Sequence, residues 1–289
     1  MAEGSGRYGY GMSLAGERSA LVAGSESARV GFLAAEVAGS ALHRARASEF
    51  PGLRKRPGPV PEGWSRTPPS LLRYSDEQTV VATASVFSAI EAMGAEPGDF
   101  EGWGVVAASR YLGRSNLAAA LRSFAIEGVW GTSPHLIPHF ALHSPSGTIS
   151  LALGIRGPNI GAGGGLHGAV EGFLAATTWL AGGVVPGVWL VLSGWSPERV
   201  PDPSPSDDAE CQAIALALRP VADAKRGVPR FQVRIGGGDA LLNEVAAPID
   251  LVRLAGDLGA SAGWVSRTVA TDPPGRVWVE LVSGPEGPG

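Results

Sequence analysis

Cysteine is almost missing from this chain: Cys211 is the only one in 289 residues. A lone cysteine cannot close an internal disulfide, so nothing speaks for an oxidising compartment. Lysine is nearly as scarce. Lys55 and Lys225 are the only two, so 21 of the 23 basic side chains are arginines, a bias that fits GC-rich coding better than function. An excess of positive charge is missing too. With 23 basic and 27 acidic residues the formal charge is −4, which argues against a nucleic-acid binder that works by neutralising phosphates. No apolar run is long enough to span a bilayer. The best stretch, residues 169–192, is interrupted by Glu171, Gly182-Gly183 and Pro186-Gly187, whereas a span needs about 20 apolar residues in a row. Residues 1–27 lack an apolar h-region, so no signal peptide is expected. These absences together predict a soluble, cytoplasmic protein with no nucleic-acid partner and no membrane span.

What is present is apolar and rich in glycine. Hydrophobic residues make up 44% of the chain, which excludes a disordered polymer. The 42 glycines and 23 prolines need another explanation. The length allows one large domain, or one domain and a fragment, with material for a buried core.

Apolar strands alternate with helical patterns along the chain, which predicts an α/β layered fold. Strands are expected at 29–37, 103–109, 147–155, 188–193, 211–218, 231–235 and 277–282. Helices are expected at 75–93, 116–127, 169–181 and 249–258. Ser75 and Gln78 fit a capping box at the start of the first helix, and Gly94 marks its end. Residues 50–72 are rich in proline and arginine and read as a long surface loop. Its basic run Arg54-Lys55-Arg56 is either solvated or a docking patch for an acidic partner.

Three local patterns invite over-reading. Gly163-Gly164-Gly165-Leu166-His167-Gly168 matches G-x-G-x-x-G, but Arg156-Gly157-Pro158-Asn159 separates it from the preceding strand. No acidic residue follows about 20 positions on, as a dinucleotide site requires. Residues 259–263 (GASAG) match a nucleophile elbow, yet no histidine follows to serve as base. His135, His139 and His143 recur at a spacing of four, but Pro134 and Pro138 lie among them and no carboxylate or cysteine completes a ligand set. No metal and no cofactor is expected.

A longer pattern is more specific. Ser133-Pro134 and Pro138, then residues 147–151 (GTISL), then Gly154-Ile155-Arg156-Gly157-Pro158-Asn159 and the glycine turn resemble the N-terminal half of beta-ketoacyl synthases, condensing enzymes of the thiolase-like fold. The flanks agree in order: the helix ending at Gly94, the strand 103–109, the helix up to Gly182-Gly183 with its following strand, and residues 207–218 (DDAECQAIALAL). The resemblance covers about residues 74–220. It implies an α/β thiolase-like layered fold, the N-terminal half of a ketosynthase with a shortened C-terminal part. Residues 1–225 would form the ketosynthase-like domain, and 226–289 a short extension that completes or flanks the sheet.

In such enzymes a nucleophilic cysteine follows the Gly-Pro-Asn turn by about seven residues, at the N-terminus of a buried helix. The helix end lowers the thiol pKa and stabilises an oxyanion. In this chain that count falls on Leu166, flanked by Gly165 and His167. Leucine has no nucleophile, and Cys211 lies about 45 residues later in a strand. The family's catalytic histidines and lysine come from its C-terminal half; residues 226–289 contain neither residue type. The resemblance therefore implies a nucleophile-less, chain-length-factor-like subunit. Its partner would be an active ketosynthase in a heterodimer, with an acyl carrier protein as a further partner, in polyketide, aryl-polyene or fatty-acid-like biosynthesis. Gly157, Pro158, Asn159, Gly163, Gly164, Gly165, Leu166 and His167 form the expected elbow and pocket, with glycines allowing positive φ and close backbone approach. The alternatives are an active acyltransferase or condensing-type enzyme using His167, a nucleotide-dependent oxidoreductase using the glycine turn, and a homodimeric acyl-binding protein.

Overall fold

The computed structural model describes residues 31–56, 60, 64, 71–134, 136–199, 201, 208–221, 228–235, 248–260, 265–271 and 277–283. The elements run β1 (Gly31–Arg46), α1 (Phe50–Leu53), α2 (Glu77–Met93), β2 (Gly104–Ser109), α3 (Arg114–Glu127), α4 (Leu136–Phe140), α5 (His143–Leu153), β3 (Asn159–Ala162), α6 (Gly168–Ala181), β4 (Val188–Ser196), β5 (Glu210–Pro220), β6 (Arg230–Ile235), α7 (Leu251–Gly259), β7 (Val265–Thr271) and β8 (Val277–Ser283). The strands form one mixed sheet in the order β3-β2-β4-β5-β1-β6-β8-β7. β3, β2 and β4 are parallel. From β4 onward every neighbouring pair is antiparallel. The strands after residue 225 therefore extend the same sheet.

Strand alternation builds two cores, one on each face. Along β4, Trp189, Val191 and Trp195 join the core on the α2 face, whereas Val188, Leu190 and Leu192 join the one on the α6 face. β5 follows the same rule. Its Cys211, Ala213, Ala215 and Ala217 face α2, and Ile214, Leu216 and Leu218 face α6. The small side chains on the first face let α2 settle deep against the sheet. The aliphatic chains on the second fill the wider gap under α6 and α7.

α2 is buried around its whole circumference: every residue from Gln78 to Phe87 is inaccessible, as are Ala89 and Ile90. A helix of that kind needs cover on all sides. The sheet supplies one side and α5 another. Aromatic rings close the same core, with Phe100 edge-on to Trp103 at 4.7 Å and to Trp189 at 5.1 Å. Arg54 holds the N-terminal end in place through Glu77 at 3.0 Å and the Ser75 carbonyl at 3.1 Å. The basic run 54–56 is therefore not uniformly solvated.

Several expectations need correction. Residues 147–155 were expected as a strand; 147–153 fall within helix α5, and Gly154 closes it in the left-handed region at φ 66°. Ile149, Ala152 and Leu153 are buried while Leu151 is 65% exposed, which is a helical period. Short apolar runs fit both periods. The strand instead follows the Gly-Pro-Asn turn, as the four-residue β3. The cap of α2 is Asp76, one residue beyond Ser75: its side chain accepts from the Gln78 N–H at 2.8 Å, while the Ser75 hydroxyl donates to the Leu71 carbonyl. β1 continues nine residues past Val37, the segment 50–72 opens with helix α1, and β7 had no counterpart in the sequence reading. Residues 1–30 and 261–264 lie outside the described residues.

One contact sets the height of α6 above the sheet. A Cβ on Gly172 would meet the Ala108 Cβ at 2.7 Å and a Leu190 methyl at 3.2 Å. Gly172→Val should cost about 2–3 kcal/mol by overpacking, read as a lower urea midpoint at unchanged m-value. A loss below about 0.5 kcal/mol, the range of ordinary surface substitutions, would show that α6 is not pinned there.

Candidate functional site

The chain enters the site along β3 and leaves it along α6, a strand–turn–helix elbow spanning residues 159–168. Backbone crowding explains the glycines. A Cβ on Gly157 would lie 2.0 Å from the Trp103 carbonyl oxygen, and one on Gly161 2.1 Å from that of Leu142. Gly163 has φ 74°, and a Cβ there would lie 2.4 Å from the Gly168 Cα. Gly164 has φ 108°, and its carbonyl accepts the Tyr111 N–H at 3.0 Å. Tyr111 is itself in the left-handed region at φ 52°, a strained conformation for a bulky residue. The end of β2 and the elbow are thus held by one bond between two unusual backbones. Gly165 needs no such freedom, having open space where its Cβ would be. Pro158 accepts the Val105 N–H at 2.9 Å, and Asn159 opens β3 opposite Val105, its side-chain oxygen buried without a partner.

At the top of the elbow Leu166 is 38% exposed and lines a cavity of about 400 Å³. The sheet face forms the floor with Ala108, Leu192, Gly194 and Gln212, and the first turn of α7 closes one side with Ile249, Asp250 and Leu251. Arg110 stands at the rim, where its guanidinium donates to Glu198 at 2.9 Å and to the Trp195 carbonyl. Gly194 gives it room, because a Cβ there would come within 3.1 Å of the Arg110 Nε. Burial raises the Glu198 carboxyl above its usual value, and Arg110 partly offsets this. His167 is the N-cap position of α6, makes no side-chain cap, and is not among the cavity's lining residues.

A buried polar network lies behind the floor. Ser193 Oγ donates to Gln78 Oε1 at 3.0 Å and sits 2.8 Å from Ser109 Oγ, and Gln78 Nε2 donates to the Arg110 carbonyl at 2.8 Å. Next to it, Asp76 receives Asn116 Nδ2 at 3.2 Å and the Gln78 N–H, so the α2 cap also anchors α3. Burial pushes the Asp76 carboxyl up to about 7, Glu77 adds to the rise, and the hydrogen bonds oppose it.

The remaining candidates are placed apart. Cys211 is fully buried on the α2 face, and burial raises its thiol far above the usual range. That is an unreactive environment. His139 lies on α4 and His143 on α5, with the helices broken between them; His135 is outside the described residues. Among the described residues no three His, Cys, Asp or Glu side chains gather as metal ligands.

The mixed sheet, buried central helix and elbow define a thiolase-like α/β fold. Solved structures similar to it include ketosynthases and their complexes. A chain of the ketosynthase (ApeO) in complex with its chain length factor (ApeC) from Xenorhabdus doucetiae superposes with a TM-score of 0.52 at 15% identity, over 86% of this chain and 99% of that one. The ishigamide ketosynthase/chain length factor gives 0.49 at 16% identity, over 72% and 68%. A type II polyketide-synthase complex of acyl-carrier protein and ketosynthase bound to the hexaketide (AntDE:AntF) gives 0.48 at 15% identity, over 65% of this chain and 63% of that one. This chain thus spans less than two thirds of that last structure's length. No family model matches the chain, and no curated protein matches its sequence.

Two predictions arise from the elbow and the cap. Gly163→Ala should cost about 2 kcal/mol or more, because strain and contact coincide, whereas Gly165→Ala should stay within about 0.5 kcal/mol; urea melts of the two variants measure the difference. The second concerns Asp76. An acid whose pKa rises on folding binds more protons folded than unfolded, so its contribution is full below pH 3.8 and is lost as pH climbs through about 7. Asp76→Asn keeps a good cap and removes that ionisation. Its stability should fall less than the parent's between pH 4 and 8, and parallel curves would contradict the burial of a protonated carboxyl.

Proposed function

We propose that this chain is a ketosynthase-like subunit without a nucleophile of its own, which pairs with an active beta-ketoacyl synthase and shapes that partner's acyl tunnel. The observation that carries this reading is Leu166. The backbone keeps the crowded strand–turn–helix elbow, and at its apex stands a side chain that can neither attack a thioester nor ionise. His167, the group an independent acyltransferase would use, lies outside the cavity lining.

Two surfaces support pairing. β3 forms one edge of the sheet, and among the described strands nothing pairs with its outer side. Such an edge is a template for strand addition. Upstream, α3 has no buried residue and presents Leu117, Leu121 and Phe124 along one stripe, at 37%, 68% and 48% exposure. Trp130, 92% exposed, and Ile137, 74% exposed, continue the apolar surface towards α4. An apolar patch of this kind on a single chain marks an interaction site. The complexes described above, a synthase with its chain length factor and a synthase with its acyl-carrier protein, are the precedents for a synthase partner and for an acyl carrier protein delivering to it. The assembled product would be a polyketide, an aryl polyene or a fatty-acid-like chain. No helix among the described residues is long and apolar enough to cross a membrane, consistent with action in the cytoplasm.

Co-expression with a ketosynthase encoded nearby tests this directly. The two chains should co-purify in equal amounts. Leu121→Asp with Phe124→Asp should weaken the complex at least about tenfold, in line with loss of central apolar anchors, while leaving the lone subunit's melting curve unchanged. A monodisperse lone chain with no synthase affinity and no influence on product length would overturn the proposal.

A further inference from the structure

The cavity beside Leu166 holds one group that the pairing role leaves unused. β5 runs through the middle of the sheet, and its residues on the α6 face are Gln212, Ile214, Leu216 and Leu218. The last three are fully buried core side chains. Gln212 is the polar exception, 9% exposed, opposite Gly194 in the β4 register and lining the cavity floor. No described residue hydrogen-bonds its side chain, whereas Ser193, Arg110 and Asp250 around the cavity are engaged. Ser193 is bound to Gln78, Arg110 to Glu198 and the Trp195 carbonyl, and Asp250 to the Arg253 N–H that it caps. The Gln212 amide is not cut off from the cavity but opens into it. Among the described residues it has no side-chain or backbone partner, and it faces what fills the cavity.

The surrounding chemistry narrows the ligand. Ala108, Leu166, Ala169, Leu192, Ile249 and Leu251 give the cavity apolar walls. The charges at its rim are of both signs and engaged: Arg110 is paired with Glu198, and Asp250 is spent as a helix cap. Arg110, the basic side chain among the lining residues, is neutralised by Glu198, so no free positive charge remains there to hold an anion. A carboxamide offers an acceptor oxygen and two donors, a set matched by another amide. A volume of about 400 Å³ lies in the range of small-molecule sites.

We propose that this cavity is a non-covalent binding site for a neutral aliphatic amide, with Gln212 reading the amide head and the walls around Leu166 covering the chain. The site belongs to this chain alone and does not depend on pairing with a synthase.

Titration of the full-length chain with octanamide, octanoate and hexanamide tests the assignment, with isothermal calorimetry as the readout. Octanamide should bind at least about tenfold more tightly than octanoate. Shortening the chain to hexanamide should weaken binding by about fourfold for each methylene removed. Gln212→Met should weaken octanamide about tenfold, because it removes the amide's hydrogen-bond partner at near-constant volume, and should leave the melting temperature of the ligand-free protein within a few degrees. Leu166→Trp places bulk in the cavity from an exposed turn and should abolish binding with the fold intact. Equal affinity for octanoate and octanamide, unchanged octanamide binding in Gln212→Met, or no saturable binding at millimolar octanamide would each overturn the proposal. A chain that co-purifies with a synthase yet ignores octanamide would overturn this site and leave the pairing role standing; the reverse result would do the opposite.

Discussion

The structure depends on backbones approaching one another without side chains between them. Gly157 lies against the Trp103 carbonyl, Gly161 against that of Leu142, and Gly163 against the Gly168 Cα. These three contacts pin β3 to β2, α5 to β3 and the start of α6 to the end of β3. Gly172 then sets α6 directly on Ala108 and Leu190. Eight glycines fall between positions 147 and 168, and at three of them, Gly157, Gly161 and Gly163, a single methyl group would collide with neighbouring backbone. The elbow therefore keeps its shape by packing, and that shape is independent of what stands at position 166.

The same separation runs through the rest of the molecule. The α2 face is built for rigidity, with an all-buried helix, an aromatic cluster and alanines beneath. The α6 face carries the cavity, with Gln212 opening into it. On the first face Asp76 ties α2 to α3, since it caps the buried helix and holds Asn116 on the exposed one.

Much of the fold was legible in the sequence, for identifiable reasons. α2, α6, β2, β4 and β5 are long, strongly apolar and bounded by glycine or polar breaks, so their type was unambiguous. α5 was misread because GTISLALGI satisfies a two-residue and a helical period equally, and only Leu151 turning to solvent decides between them. β3 was hidden by its brevity and its central glycine. β7 mixes arginine, serine and threonine with valine and gains its regularity from pairing with β8. Leu166 at the elbow could be found by counting from Gly157-Pro158-Asn159. Gln212 could not be found that way, because its meaning depends on which face of β5 it occupies. The available signal was one polar residue at an alternate position in the otherwise apolar run 211–218.

The strand order also bears on how the chain is made. β1 is flanked by β5 and β6, whose partner residues lie roughly 165 to 200 positions later. At ribosomal speeds of about 5–20 residues per second, the first strand emerges roughly ten to forty seconds before either neighbour exists. During that interval its sixteen residues have no sheet to join. The contacts at the centre of the sheet are thus long-range ones that become available only after most of the chain has been synthesised.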